Sequence, residues 1–355
     1  MEIDRHINRH IICESGRLIE ALGRLNDLSG GVMTLLVTDS DSRMVGTLTD
    51  GDVRRALLRG VSLDAPVAEA MFREFRFLNE GDVNPDTLRS LRRHRLTLIP
   101  VLDMDGHIIR VIDTRVTKTV LPVSAILMAG GKGERLRPMT LTTPKPLLTI
   151  GDKAIIDYNI EALAAVGVTD ITVTVNYLAE QIEAHFAGEI AGVKVRCVRE
   201  DRPLGTIGSA ALVDIAPGGD TIVMNSDLLT TISFEDLYLH HRNQHADITI
   251  AAVPYNVSVP YAILDTEGDR VIALEEKPSY SYYANAGIYI FSNAILRTLR
   301  PDERTDATDL IERAIAEGKR VSYFPINGTW IDIGSPVDFA HARELMRHLR
   351  QTLDA

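Results

Sequence analysis

Apolar segments of strand length alternate with segments of helical periodicity over the first 120 residues. Strands are predicted at 33–38, 46–48, 96–102 and 108–112, helices at 52–59 and 89–94, and a turn at 103–106. The second group of elements resembles the first, which gives a weak internal repeat of about sixty residues. Such a duplication predicts two stacked units of strands and helices.

A new pattern begins after Pro122, which stops any preceding element. Strands are predicted at 124–128, 171–176, 193–199 and 221–225, and helices at 154–166, 179–186 and 336–353. Alternation of this kind predicts a mostly parallel sheet covered by helices on both faces. Ligands of such sheets bind beyond the carboxyl ends of the strands, so residues at those ends are the first candidates for a site.

Together these patterns predict an α/β protein with two domains, residues 1–120 and 121–355. A chain of 355 residues, 45% of them hydrophobic, is long enough to bury more than one core. For the second domain we expect a Rossmann-like fold with a mixed sheet.

The charge balance limits the classes of partner. With 38 basic and 49 acidic side chains, the net charge of −11 argues against nucleic acid and anionic membranes. The opening residues have no apolar signal-peptide core, and no apolar run reaches the roughly 18 residues of a membrane span. Cys13 and Cys197 lie too far apart for a metal motif. We therefore expect a cytoplasmic protein without membrane partners.

A glycine-rich loop follows the strand at 124–128. Its glycines allow the backbone amides to approach an anion, while Lys132, Arg135 and Lys145 concentrate positive charge nearby. The spacing is neither that of a P-loop nor that of a dinucleotide-binding loop. A nucleoside triphosphate would fit the loop formed by Ala129, Gly130, Gly131, Lys132 and Gly133, and a tight turn with solvated cations is the alternative that these residues leave open.

The segment LMAGGKGERLRP at 127–138, with PKPL at 144–147, resembles the signature of the nucleoside-diphosphate-sugar pyrophosphorylases, which are sugar-1-phosphate nucleotidyltransferases. The resemblance extends over residues 123 to about 340. It implies that a nucleoside triphosphate and a sugar 1-phosphate react to a nucleotide sugar and pyrophosphate. It also implies that Arg135 and Lys145 contact the reacting phosphates. Glu134 stands where the family usually has threonine.

Two carboxylates follow predicted strands in the second domain. Asp227 ends the strand at 221–225 with its Asn225-Ser226-Asp227 step, and Asp332 lies in the segment WIDIG. Carboxylates at strand ends can hold a divalent cation, which a nucleotide phosphate needs in an acidic domain. Both match the metal aspartates of the family, so the resemblance implies Mg²⁺ on Asp227 and Asp332 and a catalytic role for Asp227.

Further segments occur in the order that the family has. The loop at 200–208 resembles the segment that contacts the base and the sugar, which implies nucleotide contacts for Gly205 and Thr206. The resemblance implies Lys277 as the catalytic partner of the sugar phosphate, and the sugar contacts that it implies are Asn225, Glu276 and Asn285. Tyr261-Ala262 replaces a frequent Tyr-Gly, and the added methyl narrows the predicted sugar pocket.

Residues 33–58, with the sequence GTLTDGD, resemble a cystathionine-β-synthase (CBS) domain. In such domains a Thr-x-x-Asp step, here Thr49 and Asp52, binds the ribose of an adenine nucleotide, which implies a regulatory site. The second copy at 98–113 keeps the strands but lacks this step. Residues 1–120 are thus predicted to be a tandem CBS module, and the choice between a nucleotide sensor and a dimerisation module stays open. We expect a homo-oligomer, either a dimer or a tetramer.

The combination of CBS repeats with the catalytic motifs resembles guanylyltransferases that make GDP-amino sugars. This favours GTP and glucosamine 1-phosphate as substrates, with mannose-1-phosphate guanylyltransferase as the alternative. A nucleotide-sensing protein without catalysis is a second class, but it would be expected to lose Lys145, Asp227 or Asp332, which are all present. A transferase for a non-sugar phosphate such as phosphocholine is a third, and it would not need Glu276 and Lys277.

Overall fold

The computed structural model describes residues 8–79, 96–115 and 119–353, together with the single residues 85, 87 and 91. Contacts between α-carbons divide the chain into two compact units. The first unit is Met1–Pro122 with Ala165–Gly167, and the second is Val123–Ala164 with Val168–Ala355. Among the residues so described, no helix is both long enough and apolar enough to cross a membrane.

In the part of the first unit that the structure describes there are two small sheets. Its elements are β1 (Ile11–Cys13), α1 (Leu18–Asp27), β2 (Thr34–Thr38), β3 (Met44–Thr49), α2 (Asp50–Leu58), β4 (Leu78–Asn79), β5 (Leu98–Leu102) and β6 (Ile108–Asp113). In the first sheet β1 is parallel to β2 and β2 is antiparallel to β3, and β4, β5 and β6 repeat this arrangement. Of the helix predicted at 89–94, all residues except 91 lie outside the described part of the chain.

Helix α1 shows why this unit folds on its apolar residues. Leu18, Ala21 and Leu25 recur at helical spacing, and all three are buried. They pack with Leu35 of β2 and Leu48 of β3, which are fully buried as well. The core of the unit therefore lies between the helices and this sheet.

The second unit contains fifteen strands and six helices in the described residues. The strands are β7 (Val123–Ala129), β8 (Thr149–Ile150), β9 (Lys153–Ala154), β10 (Ile171–Val175), β11 (Glu189–Ile190), β12 (Val193–Lys194), β13 (Arg196–Arg199), β14 (Asp220–Asn225), β15 (Leu228–Thr230), β16 (Ile248–Ser258), β17 (Ile263–Glu267), β18 (Arg270–Glu275), β19 (Ser279–Ser292), β20 (Val321–Pro325) and β21 (Trp330–Asp332). The helices are α3 (Ile155–Ala165), α4 (Ala179–His185), α5 (Phe234–Asn243), α6 (Asn293–Leu296), α7 (Ala307–Ala316) and α8 (Pro336–Leu353).

A seven-stranded sheet in the order β13-β10-β7-β14-β19-β16-β20 is the centre of this unit. Strands β13, β10, β7 and β14 are parallel, whereas β19 is antiparallel to both β14 and β16. The predicted mixed and mostly parallel sheet is confirmed, since six of its seven strands run in one direction and β19 alone runs in the other. The reason is that a β-hairpin, and not a crossover helix, joins β16 to β19, so the chain returns in the opposite direction.

The predicted strand at 193–199 needs correction. It is divided into β12, which pairs with β11, and β13, which lies at the edge of the central sheet. On the central sheet, Ile126 of β7, Val223 of β14 and Phe291 of β19 pack against α7. This buried layer fixes the positions of β7 and β14, whose carboxyl ends carry the predicted site.

Candidate active site

The glycine loop after β7 has a conformation that side chains would not permit. A Cβ atom at Gly130 would lie 2.6 Å from Oε1 of Glu200, and one at Gly133 would lie 2.9 Å from Thr140. Gly133 also has a φ of +60°, in the left-handed region that glycine tolerates best. The Thr140 hydroxyl donates a hydrogen bond of 2.8 Å to the carbonyl of Gly133. The loop is therefore held in one shape close to a carboxylate.

Lys145 is the buried cation of the region. Its ammonium group donates a hydrogen bond to Asp227 and lies 3.7 Å from Oδ1 of Asp332. The two carboxylates meet because β15 and β21 form an antiparallel pair in which Leu228 is opposite Asp332. Burial raises the pKa of Asp332, and the charge of Asp227 raises it further, while Lys145 and Arg135 oppose both effects.

Arg135 adds a second positive charge near the carboxylate of Asp332. A Cβ atom at Gly334 would lie 2.9 Å from its Nη2 atom, so the guanidinium group packs over the backbone beyond β21. Glycine at 334 is thus what allows Arg135 to come near Asp332. Arg135 and Lys132 are both exposed side chains.

The carboxylates of Asp227 and Asp332 form a set of oxygen donors that suits a hard divalent cation. Lys145 already places one positive charge between them, which indicates that the pair accommodates a cation. In the first unit, ligand atoms of Asp103, Asp105 and His107 also lie within 4.8 Å of one another, close enough to hold a metal ion. There, however, Asp103 accepts the backbone N–H groups of Asp105 and His107 as the turn between β5 and β6.

A cavity of about 330 Å³ opens beyond the carboxyl ends of β7 and β14. The predicted site residues that line it are Ala129, Gly130, Gly131, Lys145, Gly205, Thr206, Asn225 and Asp227. The other lining residues are Met128, Pro146, Glu200, Pro203, Ser209, Ser226 and Arg304. Ser226 connects the ends of β14 and β7 within the lining, because its hydroxyl donates a hydrogen bond of 2.7 Å to the carbonyl of Met128. Eight residues predicted from separate motifs therefore share one cavity.

Gly205 and Thr206 form one wall of this cavity. Gly205 has a φ of +86°, and a Cβ atom there would lie 2.5 Å from the carbonyl oxygen of Thr305. The backbone N–H of Thr206 donates to Asp306, and the Thr206 hydroxyl accepts the N–H of Ala307 at 2.9 Å. The backbone N–H and the hydroxyl oxygen of Thr206 are therefore both hydrogen-bonded to the start of α7. The hydroxyl hydrogen of Thr206 is still available as a donor to a ligand.

The remaining predicted residues do not line the cavity. Lys132, Gly133 and Arg135 follow the lining part of the glycine loop, and Asp332 lies 3.7 Å from the ammonium group of Lys145, which does line the cavity. Glu276 and Lys277 lie exposed between β18 and β19, with 4.0 Å between their charged atoms.

Lys277 has a φ of +45°, a strained value for a residue other than glycine. Strain of this kind is concentrated at functional sites.

Asn285 is held beside the cavity rather than in its wall. Its amide donates to the Tyr289 hydroxyl at 2.9 Å, and its carbonyl oxygen accepts the N–H of Gly287 at 2.9 Å. A Cβ atom at Gly287 would lie 2.4 Å from the amide nitrogen of Asn225, so this turn packs directly on a lining residue. Asn285 thus hydrogen-bonds to Gly287, and Asn225 packs against the same glycine.

Glu200 and Arg304 were not predicted from the sequence. Glu200 is buried after β13, its Oε2 accepts the N–H of Leu204 at 3.0 Å, and burial raises its pKa. Its place at the end of a strand in the loop at 200–208 was the available signal. Arg304 comes from a distant segment, 2.9 Å from Asp306, and no local motif marks it.

In the first unit, Thr49 and Asp52 form the capping box of α2. The Thr49 hydroxyl donates to Asp52 at 2.6 Å, and Arg55 approaches the other carboxylate oxygen of Asp52 at 2.5 Å. Both side chains therefore have a structural role at the helix start. Their assignment to an adenine nucleotide stays a prediction.

The sequence of this chain is similar to one protein family and to several characterised proteins. Residues 124–348 match the family model described as nucleotidyl transferase. Mannose-1-phosphate guanylyltransferase catalytic subunit beta of Danio rerio is 35% identical over 228 residues, which are 61% of this chain and 62% of that protein. Mannose-1-phosphate guanyltransferase of Schizosaccharomyces pombe is 36% identical over 230 residues, with the same two coverages of 61% and 62%. The chain thus spans 62% of the length of these relatives.

Among solved structures, one from Bacillus anthracis is described as a glucose-1-phosphate thymidylyltransferase in complex with a sucrose. It superposes with a TM-score of 0.52 and 25% identity, over 63% of this chain and 95% of that chain.

Proposed function

The chain belongs to the nucleotidyl transferase family, and we propose that it transfers a nucleoside monophosphate from a nucleoside triphosphate to a sugar 1-phosphate. The observation that carries this proposal is the cavity in which the glycine loop, Lys145 and Asp227 meet at the carboxyl ends of β7 and β14. Such an edge of an α/β sheet is where ligands bind, and an open glycine loop beside a buried lysine suits phosphates.

In the proposed reaction an oxygen of the sugar phosphate attacks the α-phosphorus in line. The bond from that phosphorus to the oxygen bridging to the β-phosphate breaks, and pyrophosphate leaves with the electron pair. The protein needs to supply orientation and positive charge, and no covalent intermediate is required. Lys145 and Arg135 provide that charge from fixed positions, with Lys277 on the phosphate of the sugar.

We further propose that Asp227 and Asp332 hold Mg²⁺. When bound, the ion neutralises charge on the triphosphate. The support in this chain is the convergence of both carboxylates on the Lys145 ammonium group.

Glu200 supports GTP as the nucleotide. Guanine presents two donors side by side, N1–H and the N2 amino group, and a carboxylate accepts both. Adenine presents a donor beside an acceptor, and uracil a single donor between two carbonyls, so neither matches a carboxylate as well. Glu200 lies in the cavity wall with Oε2 bonded to Leu204 and Oε1 next to the glycine loop. The guanylyltransferase names of the relatives support the same base.

For the sugar we propose a hexose 1-phosphate that contacts Asn225, Asn285 and Glu276. Mannose 1-phosphate is the first candidate because the relatives are named for it. Glucosamine 1-phosphate, which the sequence resemblance favoured, is the second, since the Glu276 carboxylate can accept a charge-assisted hydrogen bond from an amino group.

A matrix of substrates tests the proposal. The purified chain is incubated with each of four nucleoside triphosphates and with mannose, glucosamine or glucose 1-phosphate or with phosphocholine, and pyrophosphate is measured. We expect the highest turnover with GTP and mannose 1-phosphate. A preference for UTP would contradict the assignment of Glu200. Nucleotide binding without pyrophosphate release would instead identify a sensing protein, and turnover with phosphocholine would indicate a non-sugar acceptor.

We also propose that an adenine nucleotide binds the first unit at Thr49 and Asp52. Calorimetry should detect binding to the whole chain, and Asp52→Ala should abolish it. Because Asp52 also caps α2, the variant should lose about 1 kcal/mol of stability whatever it binds. Glu69→Ala, in a one-turn helix of the same unit, is the control. Calorimetry without a binding signal for the unmodified chain would reject this regulatory site.

A further inference from the structure

The backbone that carries the two carboxylates of the site belongs to a very small sheet. Strands β15 and β21 have three residues each, and in the described part of the chain they form a two-stranded sheet apart from the central one. Asp227 directly precedes β15, and Asp332 is the last residue of β21. A lone pair of short strands is marginally stable in water, so the positions of both carboxylates depend on the groups that hold this pair.

The carbonyl group of Leu228 points away from β21. The Ile333 N–H donates a hydrogen bond of 3.2 Å to the Asp227 carbonyl, so these two residues form a hydrogen-bonded pair. Such pairs alternate with non-hydrogen-bonded pairs along an antiparallel ladder, so the next pair, Leu228 with Asp332, is of the second kind. The N–H and C=O groups of Leu228 are therefore directed outwards. Because Leu228 is fully buried, its carbonyl needs a donor from another element.

Asn159 of α3 is that donor. Its side-chain amide donates a buried hydrogen bond of 2.9 Å to the Leu228 carbonyl, and the residue is 2% exposed. Around this bond the contacts are apolar, since Ile155 of α3 packs with Leu229 of β15 and Ile331 of β21. Apolar contacts have no preferred direction, whereas a hydrogen bond does. The Asn159 amide is therefore the contact that fixes how the strand pair is set against the helix.

We propose that Asn159 is a positioning residue for the divalent cation of the site. By holding the Leu228 carbonyl, it keeps the carboxylates of Asp227 and Asp332 at the separation that the ion requires. This inference rests on the proposed magnesium site, and Asn159 acts through one backbone group rather than by contact with the ion. Mg²⁺ demands a near-ideal octahedral arrangement of oxygens, so a small displacement of either carboxylate weakens its binding.

The gain in GTP affinity that Mg²⁺ produces measures this geometry without turnover. Calorimetry gives the dissociation constant of GTP for the whole chain in Mg²⁺ and in EDTA, with no sugar phosphate present. We expect Mg²⁺ to tighten GTP binding to the unmodified chain by about tenfold or more. Asn159→Leu keeps the size of the side chain but removes the donor. It should reduce this gain by about tenfold and leave the dissociation constant in EDTA within about twofold.

Asn293→Leu is the matched control. Asn293 is 3% exposed, and its amide donates a hydrogen bond of 2.8 Å to the Gly218 carbonyl. Gly218 precedes β14, whereas Asp227 follows it, so this bond lies at the other end of the strand. The control should lose stability as Asn159→Leu does, but it should keep the full gain from Mg²⁺. Asn159→Ala and Asn293→Ala remove the same donors and take the place of a leucine variant that does not fold.

Different results count against the role of Asn159 and against the metal site. A full gain from Mg²⁺ in a folded Asn159 variant would overturn the positioning role. An equal loss of the gain in the Asn293 variant would overturn it as well, because both asparagines would then act only on general stability. Asp227→Asn should lose the gain. If Asp227→Asn keeps it, or if the unmodified chain has none, the proposed metal site is wrong and the role of Asn159 is wrong with it.

Discussion

At the scale of single residues, the sequence motifs predicted which residues belong to the site better than they predicted the contacts between those residues. Lys145, Asp227 and the glycine loop were assigned from their order in the sequence, and Lys145, Asp227 and residues 129–131 of the loop line the cavity. The burial of Lys145 between two carboxylates could not be read from the sequence, because it depends on the pairing of β15 with β21. Glu200 was missed for a similar reason, since a glutamate after a strand is usually solvated.

Glu200→Gln tests the assignment of the base. Glutamine keeps the shape but replaces one acceptor oxygen by a donor amide, which would face the donor edge of guanine. We expect the KM for GTP to rise by about tenfold or more, in line with roughly 1 to 3 kcal/mol for an unsatisfied buried group. Steady-state kinetics measure it, with the exposed Glu312→Gln on α7 as control. An unchanged KM for GTP would remove Glu200 from the site.

The pH dependence of the same KM is a second test. Burial raises the pKa of Glu200, so its carboxylate takes up a proton at a higher pH than an exposed glutamate does. As the pH falls through that raised pKa, the acceptor is lost and the KM for GTP should rise. The folded protein binds this proton more tightly than the unfolded chain does. Protonated Glu200 therefore contributes to the free energy of unfolding at pH values below its ordinary pKa of 4.5, and this contribution is lost as the pH rises through the raised pKa. Glu200→Gln should show neither dependence.

At the scale of elements, hydrophobic periodicity predicted the strands β7, β10 and β14 and the helices α3, α4 and α8 closely. It failed where tertiary pairing decides the outcome. The direction of β19 depends on the hairpin that precedes it, and the division of 193–199 depends on β11 as a partner of β12. Neither is encoded in the local alternation of residues.

Gly205→Ala tests the wall of the cavity. The substitution combines a left-handed φ of +86° with a Cβ only 2.5 Å from the Thr305 carbonyl, so the loop and the start of α7 must shift. We expect a loss of about 1 to 3 kcal/mol in the free energy of unfolding, together with a higher KM for GTP. Denaturant unfolding measures the first quantity.

Gly218→Ala is the matched control, because nothing lies within 4 Å of its Cβ position. It should change stability by less than about 0.5 kcal/mol. Equal stability of the two alanine variants would mean that Gly205 is not constrained.

At the scale of the whole molecule, the family match covers residues 124–348 and so concerns the second unit. The description of residues 1–120 as a CBS module stays a prediction, because its motif is short and its Thr49 and Asp52 already serve a helix cap. The site lies within the second unit, where sequence motifs between residues 129 and 227 meet at one edge of one sheet. The motifs meet there because of the order of the strands in the central sheet. In the sequence, only the order of the motifs indicated that they would meet.

The central claim is that this edge transfers a nucleotide through Asp227 and Lys145. Its most direct measurement is magnesium-dependent release of pyrophosphate from GTP and mannose 1-phosphate by the unmodified chain and by Asp227→Asn. Loss of a metal carboxylate should cost several kcal/mol at the transition state, so turnover should fall by about a hundredfold or more while circular dichroism shows a folded protein. Turnover by folded Asp227→Asn equal to that of the unmodified chain would contradict the account.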